Sequence, residues 1–393
     1  MATVFTLRVR DSQAVAVDRG DLKRFGAYGV TFSTILPGGD GECKVRIPYR
    51  GSLARLTPPS YLGYNYRLDV TLGGIYLWSG RIEDVEFRKA TDGYYWEVTA
   101  RGYGMNLQDQ AYTAVDVANK MSSTIVSDAI TALAPQITAQ SVTSTSFTFS
   151  NNGAITPQLM TVGMLLAWIA RFGDSAFNPQ QWYVYPDSDG TIRFTFEPRP
   201  TTTDVEGYLA DFPDASFGLF GKNAYNRAVV RYNGGASYVT RNDSALQGAA
   251  PTGWNLIRTI VAVLPELNNV SAADANQAGD AMLKQFGTLR MAATSLRTPA
   301  SAASMRLYDS NGSPLKPWEV KAGQLFRFRD VDPVDQPLTN LTWSNAFVVA
   351  GTTYDEDAQT LSITPEGFDN SADKLIARVD TLMRGRFGLS ATA

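Results

Sequence analysis

The chain has 393 residues, 44% of them hydrophobic, with Gly 33 and Pro 19. That is more than one compact core normally holds, so two or three domains are expected. Lys plus Arg number 35 against 38 Asp plus Glu, and the formal charge of -3 disfavours general attraction to nucleic acid through counterion release. There is no histidine, which removes the Ser-His-Asp triad, the Cys-His pair and every His-containing metal site; the single cysteine, Cys43, excludes an intramolecular disulfide and thiolate-rich metal sites.

The first residues, Met1 to Arg10, alternate and read as a strand, not as a secretory signal. Two-residue alternation returns at Cys43, Val45 and Ile47 against Lys44 and Arg46, the pattern of a half-buried antiparallel strand. Tyr66, Leu68, Val70 and Leu72 share a face, Gly73-Gly74 supplies a tight hairpin, and Ile75 to Trp78 returns. A strand over Arg81 to Arg88 changes phase at Glu83-Asp84, which predicts a bulge. It turns at Thr91-Asp92-Gly93 into Tyr94 to Gly102, with Trp96, Val98 and Ala100 on one face, so the meander should curl into a barrel or sandwich.

Beyond Gln110 the period changes. Ile125, Ile130 and Leu133 predict a helix over Ser123 to Leu133, ending before Pro135, whereas Gln140 to Asn152 reads as an exposed loop or a weakly specified strand. Leu165, Leu166, Ile169 and Phe172 repeat at helical spacing from Thr161, with Gly173 placed to end the helix. Even this apolar stretch is far shorter than the roughly 20 residues of a membrane-spanning helix, so no membrane span is expected. Strands at Trp182 to Tyr185 and Ile192 to Phe196 flank the turn Pro186 to Gly190, giving an α+β module. After the connector Pro198 to Thr203, strands are predicted at Ala228 to Tyr232, Asn255 to Leu264, Met305 to Tyr308, Leu325 to Arg329, Phe347 to Ala350 and Leu361 to Thr364. Among them lies one helix, capped by Ser271 with Asp274 at the capping-box position and Gly287 after Phe286. A last amphipathic helix is predicted over Asp373 to Arg384. The expected class is mainly β with an α+β insertion: a first β-barrel domain over 1–110, an α+β domain over 111–203, a second β-barrel domain over 204–370 containing the helix 271–286, and a C-terminal helix and tail over 371–393.

No motif nominates a catalytic, cofactor-binding or metal site. The acidic groups Asp330, Asp332, Asp335 and Asp355-Glu356-Asp357 lack the Gly and Glu of a calcium loop and read as solvated turns. Asp187-Ser-Asp-Gly190 fits a hairpin turn. Gly218-Leu-Phe-Gly221-Lys222-Asn223 has the wrong glycine spacing for a phosphate loop, and Asn stands where a magnesium-binding hydroxyl belongs. One group invites a partner: Trp78 and Arg81 on one strand, and Tyr94, Tyr95 and Trp96 on the next, either fill the barrel and its edge or form a subunit or tube interface, where aromatic residues and Arg are enriched.

The segments Phe32 to Gly39 leading into Cys43 to Pro48, Leu77 to Asp84 followed by Glu97 to Tyr103, Lys321 to Asp330, and Tyr354 to Thr364 resemble, in that order, strands of the tail hub family of tailed bacteriophages. That family comprises the baseplate hub of contractile tails and the corresponding tail-tip or minor tail proteins of non-contractile ones. The resemblance implies a virion structural protein, made in the host bacterial cytoplasm and built from two tail-tube-like antiparallel β-barrel domains. It would form a homotrimer whose pseudo-sixfold symmetry matches a hexameric tail tube. Implied partners are the tail tube or distal tail protein on one side and a tail-tip, spike or fibre protein on the other. The lumen would pass the tape-measure protein and then DNA during ejection, with transient passage and no specific binding, for which a neutral to acidic lining is suited. Two other function classes stand beside this one: a host-surface glycan-binding tail protein using exposed Tyr and Trp, and a cell-wall hydrolase using two carboxylates.

Overall fold

The structure, a computed structural model, describes residues 5–11, 18–51, 57–91, 93–112, 120–143, 148, 161–219, 224–233, 235–248, 255–264, 270–287, 289–297, 306–331, 335–336, 341–342 and 345–366. The helix expected over Asp373 to Arg384, and Asp332 of the acidic turns, lie outside the described residues.

The first unit consists of strands β1 (Thr6–Arg10), β2 (Asp18–Asp21), β3 (Tyr28–Ile35), β4 (Gly38–Pro48), β5 (Arg67–Leu72), β6 (Ile75–Ala90) and β7 (Gly93–Gly102). They pair antiparallel in the order β2, β1, β5, β6, β7, β4, β3. The two-residue period sets their faces: Cys43, Val45 and Ile47 are buried, while Glu42, Lys44 and Arg46 between them are exposed. Gly73 and Gly74, both at positive φ (59° and 89°), close the β5–β6 hairpin as the sequence predicts. The β6–β7 register slips between Ile82 and Asp84, at the expected bulge.

The next segment holds α1 (Tyr103–Asn106), α2 (Ser122–Leu133), β8 (Ala139–Val142), α3 (Val162–Arg171), β9 (Gln180–Pro186) and β10 (Ile192–Pro198). The Thr161 hydroxyl accepts from the Met164 amide at 3.2 Å to cap α3, Leu165, Leu166, Ile169 and Phe172 are fully buried, and Gly173 leaves the helix at φ 66°. Of the two alternatives for the stretch after Gln140, its beginning is strand, because β8 pairs parallel with β10.

The remaining elements are β11 (Val205–Gly207), β12 (Asp214–Leu219), β13 (Arg227–Tyr232), β14 (Ser237–Asn242), α4 (Ser244–Gln247), β15 (Thr259–Val263), α5 (Ala272–Phe286), β16 (Leu289–Arg297), β17 (Leu307–Asp309), β18 (Pro314–Leu315), β19 (Leu325–Phe328), β20 (Asp335–Gln336), β21 (Leu341–Thr342), β22 (Ala346–Asp355) and β23 (Thr360–Pro365). Ser271 caps α5 through its hydroxyl, which accepts from the Asp274 amide at 3.0 Å. β14, β13 and β15 form a separate three-stranded sheet.

Two buried cores result. One joins α2, α3, β9 and β10 to β13, β15 and α5, through residues such as Ile169, Phe172, Trp182, Val230, Ile260 and Ala278. The other joins the first unit to the last strands, through Phe5, Val45, Trp78, Phe326, Tyr354 and Ile363. The Phe5 ring meets those of Phe32, Trp318 and Tyr354 edge-on at 5.7 to 6.0 Å, tying the two ends of the described chain together.

The mainly β class with its helices stands, but the two barrels expected from sequence do not close. Among the described residues the pairings of the large sheet branch and never return to an earlier strand. The reason is at β3. Its free edge pairs with β22, Thr31 to Ile35 lying opposite Asp355 to Gly351, so an edge needed for self-closure joins the two strand sets into one sheet.

Candidate assembly surface

The spine of this sheet runs β6, β7, β4, β3, β22, β23, β16, β12, eight strands with every adjacent pair antiparallel. Its two ends differ from its interior. β5 covers β6 only as far as Arg81, so residues 83–90 have no partner strand on their outer side among the described residues. At the other end, among the described residues, β12 pairs with β16 alone. Unpaired edges of this length present rows of N–H and C=O groups that a further strand satisfies.

Over β4, β6 and β7 one face of the spine is charged but internally neutralised. In cross-strand register, Arg46 of β4 stands opposite Glu97 of β7, which stands opposite Glu86 of β6. Arg88 bridges Glu86 (2.7 Å) and Glu97 (3.0 Å), and Arg46 lies 3.9 Å from Glu97. Lys44 pairs with Glu42 at 2.7 Å, while Glu83 receives Arg81 at 3.1 Å and Arg101 at 3.4 Å. Opposite charges directly across a sheet stabilise it, and here they also leave little free positive charge for a polyanion.

The five residues predicted as an interface group do not meet. Trp96 lies opposite Phe87, nine residues along β6 from Trp78; at about 3.3 Å per residue that is roughly 30 Å. Trp78 is fully buried in the core and Arg81 is half-buried on Glu83. Trp96 is buried, Tyr94 and Tyr95 are half-buried, and the cluster that does form is Tyr49, Phe87, Tyr94 and Trp96, with Phe87 5.1 Å from Tyr49, 5.2 Å from Trp96 and 5.5 Å from Tyr94. Arg46 lies over the Tyr95 ring at 5.7 Å. Phe87 was legible in the alternation of β6. Tyr49 was not, because it follows Pro48 at a strand end.

Beneath the spine, a polar junction ties its two halves to the α+β module. Gly38 and Gly39 pair with Tyr183 and Val184 of β9, and a Cβ at Gly39 would stand 2.2 Å from the Val184 carbonyl oxygen, so only glycine permits this approach. Next to them Asp40, 1% exposed, accepts from the Ser79 amide at 2.9 Å through one carboxylate oxygen, while the other has no hydrogen-bond partner. Burial pushes the Asp40 carboxyl up to about 7; the Lys321 ammonium is the largest influence in the opposite direction. Burial in turn lowers Lys321, opposed by Asp40, and its Nζ sits 4.6 Å from the Tyr185 ring centroid. The Tyr185 hydroxyl donates to the Ala322 carbonyl (2.8 Å), and the Ala322 amide donates to the Thr34 hydroxyl (2.9 Å), itself 2.6 Å from that of Thr352. Asp69 alongside is held by Arg67 and the Ser79 hydroxyl.

Three of the acidic turn residues, Asp330, Glu356 and Asp187, are occupied by their own chain. Asp330 accepts from the amides of Leu209 and Ala210, Glu356 pairs with Lys23 at 2.9 Å, and Asp187 pairs with Arg193 at 2.7 Å. Among the described residues no group of three or more Asp, Glu or Cys side chains is arranged to hold a metal ion, and no helix is long and apolar enough to cross a membrane.

No family model and no curated protein sequence matches this chain. Its fold is nevertheless that of solved phage-type tail proteins. A tail protein from Neisseria meningitidis MC58 superposes with a TM-score of 0.56 at 13% identity, covering 94% of this chain and 98% of that one. The 43 kDa tail protein of prophage MuSo2 from Shewanella oneidensis gives 0.54 at 12% identity, over 92% and 97%. Prophage tail protein gp18 from Listeria monocytogenes EGD-e gives 0.55 at 10% identity, over 97% and 100%.

Proposed function

We propose that this protein is a structural component of a phage tail, the hub that joins a hexameric tail tube to the tail tip or baseplate, acting as a homotrimer without enzymatic activity. The observation that carries the reading is the spine of the sheet. Eight alternating strands end in one free edge at β6 and another at β12, and because eight is even, β12 of one copy and β6 of the next run antiparallel. Head-to-tail pairing of this kind generates a closed ring when the rotation fits, and it removes both exposed edges. Each copy brings two linked strand sets, so three copies repeat the motif six times, in step with a hexameric tube above and a threefold tip below.

In that ring the charged face of the spine lines the channel for the tape-measure protein and DNA. On its β4, β6 and β7 part, Arg46, Arg88 and Arg101 are already occupied by carboxylates, which suits passage of a polyanion without retention. The tube or distal tail protein and a tip, spike or fibre protein would sit on the two rims, and the protein would reside in the virion.

The test is the mass of the purified chain by light scattering together with negative-stain class averages. A threefold ring with an open centre is expected. A monomer that binds host glycan or cell wall would overturn the hub reading in favour of a receptor-binding protein.

A further inference from the structure

Where β4 leaves the sheet at Ile47 and Pro48, a cleft of about 290 Å³ is walled by Phe25, Tyr49, Tyr61 and Trp96 and also lined by Arg24 and Arg50. Phe25 stacks on Tyr61 at 4.2 Å with planes 9° apart, and Phe25 remains 40% exposed. A Cβ at Gly26 would stand 3.4 Å from a terminal guanidinium nitrogen of Arg50, which places Arg50 beside the short turn that carries Arg24.

These two arginines stand apart from their neighbours. Each other described arginine of residues 5–110 has a carboxylate within 3.9 Å. Arg24 and Arg50 are exposed and have no ion pair among the described residues. Among the described arginines of residues 5–110, the two without an ion pair both line one aromatic cleft. Guanidinium forks are matched to carboxylates, and the ring walls to an apolar side chain. Among the described residues no Asp, Glu, Asn or Gln side chain lines the cleft, so no carboxylate or carboxamide of its own competes for the two guanidinium groups.

We propose that this cleft binds an extended peptide segment presenting a carboxylate beside an apolar side chain, supplied by another tail component. The chemistry of the cleft does not depend on ring closure; the identity of the supplier as a tail component rests on the hub reading. Because Pro48 pairs with Tyr95 close to the β6–β7 turn, the cleft lies at a strand end, and a ring would repeat it around one rim.

The test uses the full chain and a fluorescein-labelled peptide in which Glu alternates with Leu and Trp, with an otherwise identical Gln peptide, read by fluorescence anisotropy. The Glu peptide is expected to bind at least tenfold more tightly than the Gln peptide, and the double change Arg24→Gln with Arg50→Gln should remove at least tenfold of that affinity. Since both side chains are exposed and have no ion pair among the described residues, the thermal midpoint of the double variant should match that of the parent. Arg8→Gln, which removes a paired arginine elsewhere, should leave binding unchanged. Equal binding of the two peptides, or indifference to the double change, overturns the proposal; so does preferential binding of an oligo-dT strand or an acidic glycan. Particle size measured on the same variants keeps the outcomes separate, because loss of peptide binding with an intact ring removes this site and leaves the hub reading standing.

Discussion

Asp40→Asn isolates the energetic cost of the buried junction. The carboxyl is 1% exposed and has its pKa raised from 3.8 to about 7, chiefly by burial. The folded state therefore keeps a proton that the unfolded chain has released between about pH 4 and 7. The associated stability is fully present below pH 4 and is lost as pH rises through 7. A displacement of about three pH units corresponds to roughly 4 kcal/mol, an upper figure for a group with little solvent screening. The amide mimics the protonated carboxyl, retains an acceptor for the Ser79 amide and does not titrate. The stability of the variant relative to the parent should thus rise by up to about 4 kcal/mol between pH 4 and pH 8. Urea unfolding followed by tryptophan fluorescence at pH 4, 6 and 8 reads this difference. A difference independent of pH would refute the argument. A variant that loses stability relative to the parent as pH rises would show that the Lys321 attraction outweighs desolvation, reversing the sign.

Two other changes probe the packing and the charged face. Phe172→Ala removes a fully buried ring that contacts Trp168 at 4.8 Å between centroids and should cost about 3–5 kcal/mol in denaturant unfolding. Glu97→Gln leaves Arg46 without its carboxylate and Arg88 with only Glu86, so affinity for short duplex DNA at low salt should rise, with a steeper dependence on salt; unchanged affinity would show that the ladder does not control access of a polyanion.

The proposed trimer gives the open sheet a physical purpose. Free edges at β6 and β12 are liabilities in an isolated chain, where they invite irregular association. A head-to-tail ring removes them with the same antiparallel pairing that holds the spine together. In the proposed ring the ion-pair ladder on the spine and the arginines of the cleft would divide the work, one face avoiding persistent contact with a passing polyanion and a strand-end site presenting charge to the proposed peptide partner.

Much of the local architecture was legible in the amino-acid sequence. The Gly73-Gly74 hairpin, the bulge at Glu83-Asp84, the buried stripe of α3 and the Ser271 cap all follow from periodicities and hydrogen bonds spanning a few residues, which carry their information within the segment itself. The absence of histidine likewise removed whole classes of chemistry before any fold was known. Tertiary structure decided what depends on distant partners. The pairing of β3 with β22 opened the expected barrels into one sheet across more than three hundred residues of chain, and the length of β6 separated Trp78 from Trp96. Asp40 acquired its raised pKa because Ser79, Lys321 and the β9 backbone enclose it, and Arg24 and Arg50 stand out only against the ion pairs of their neighbours. Edge pairing, desolvation and charge compensation are sums over groups far apart in the chain, and so they exist only once the chain has folded.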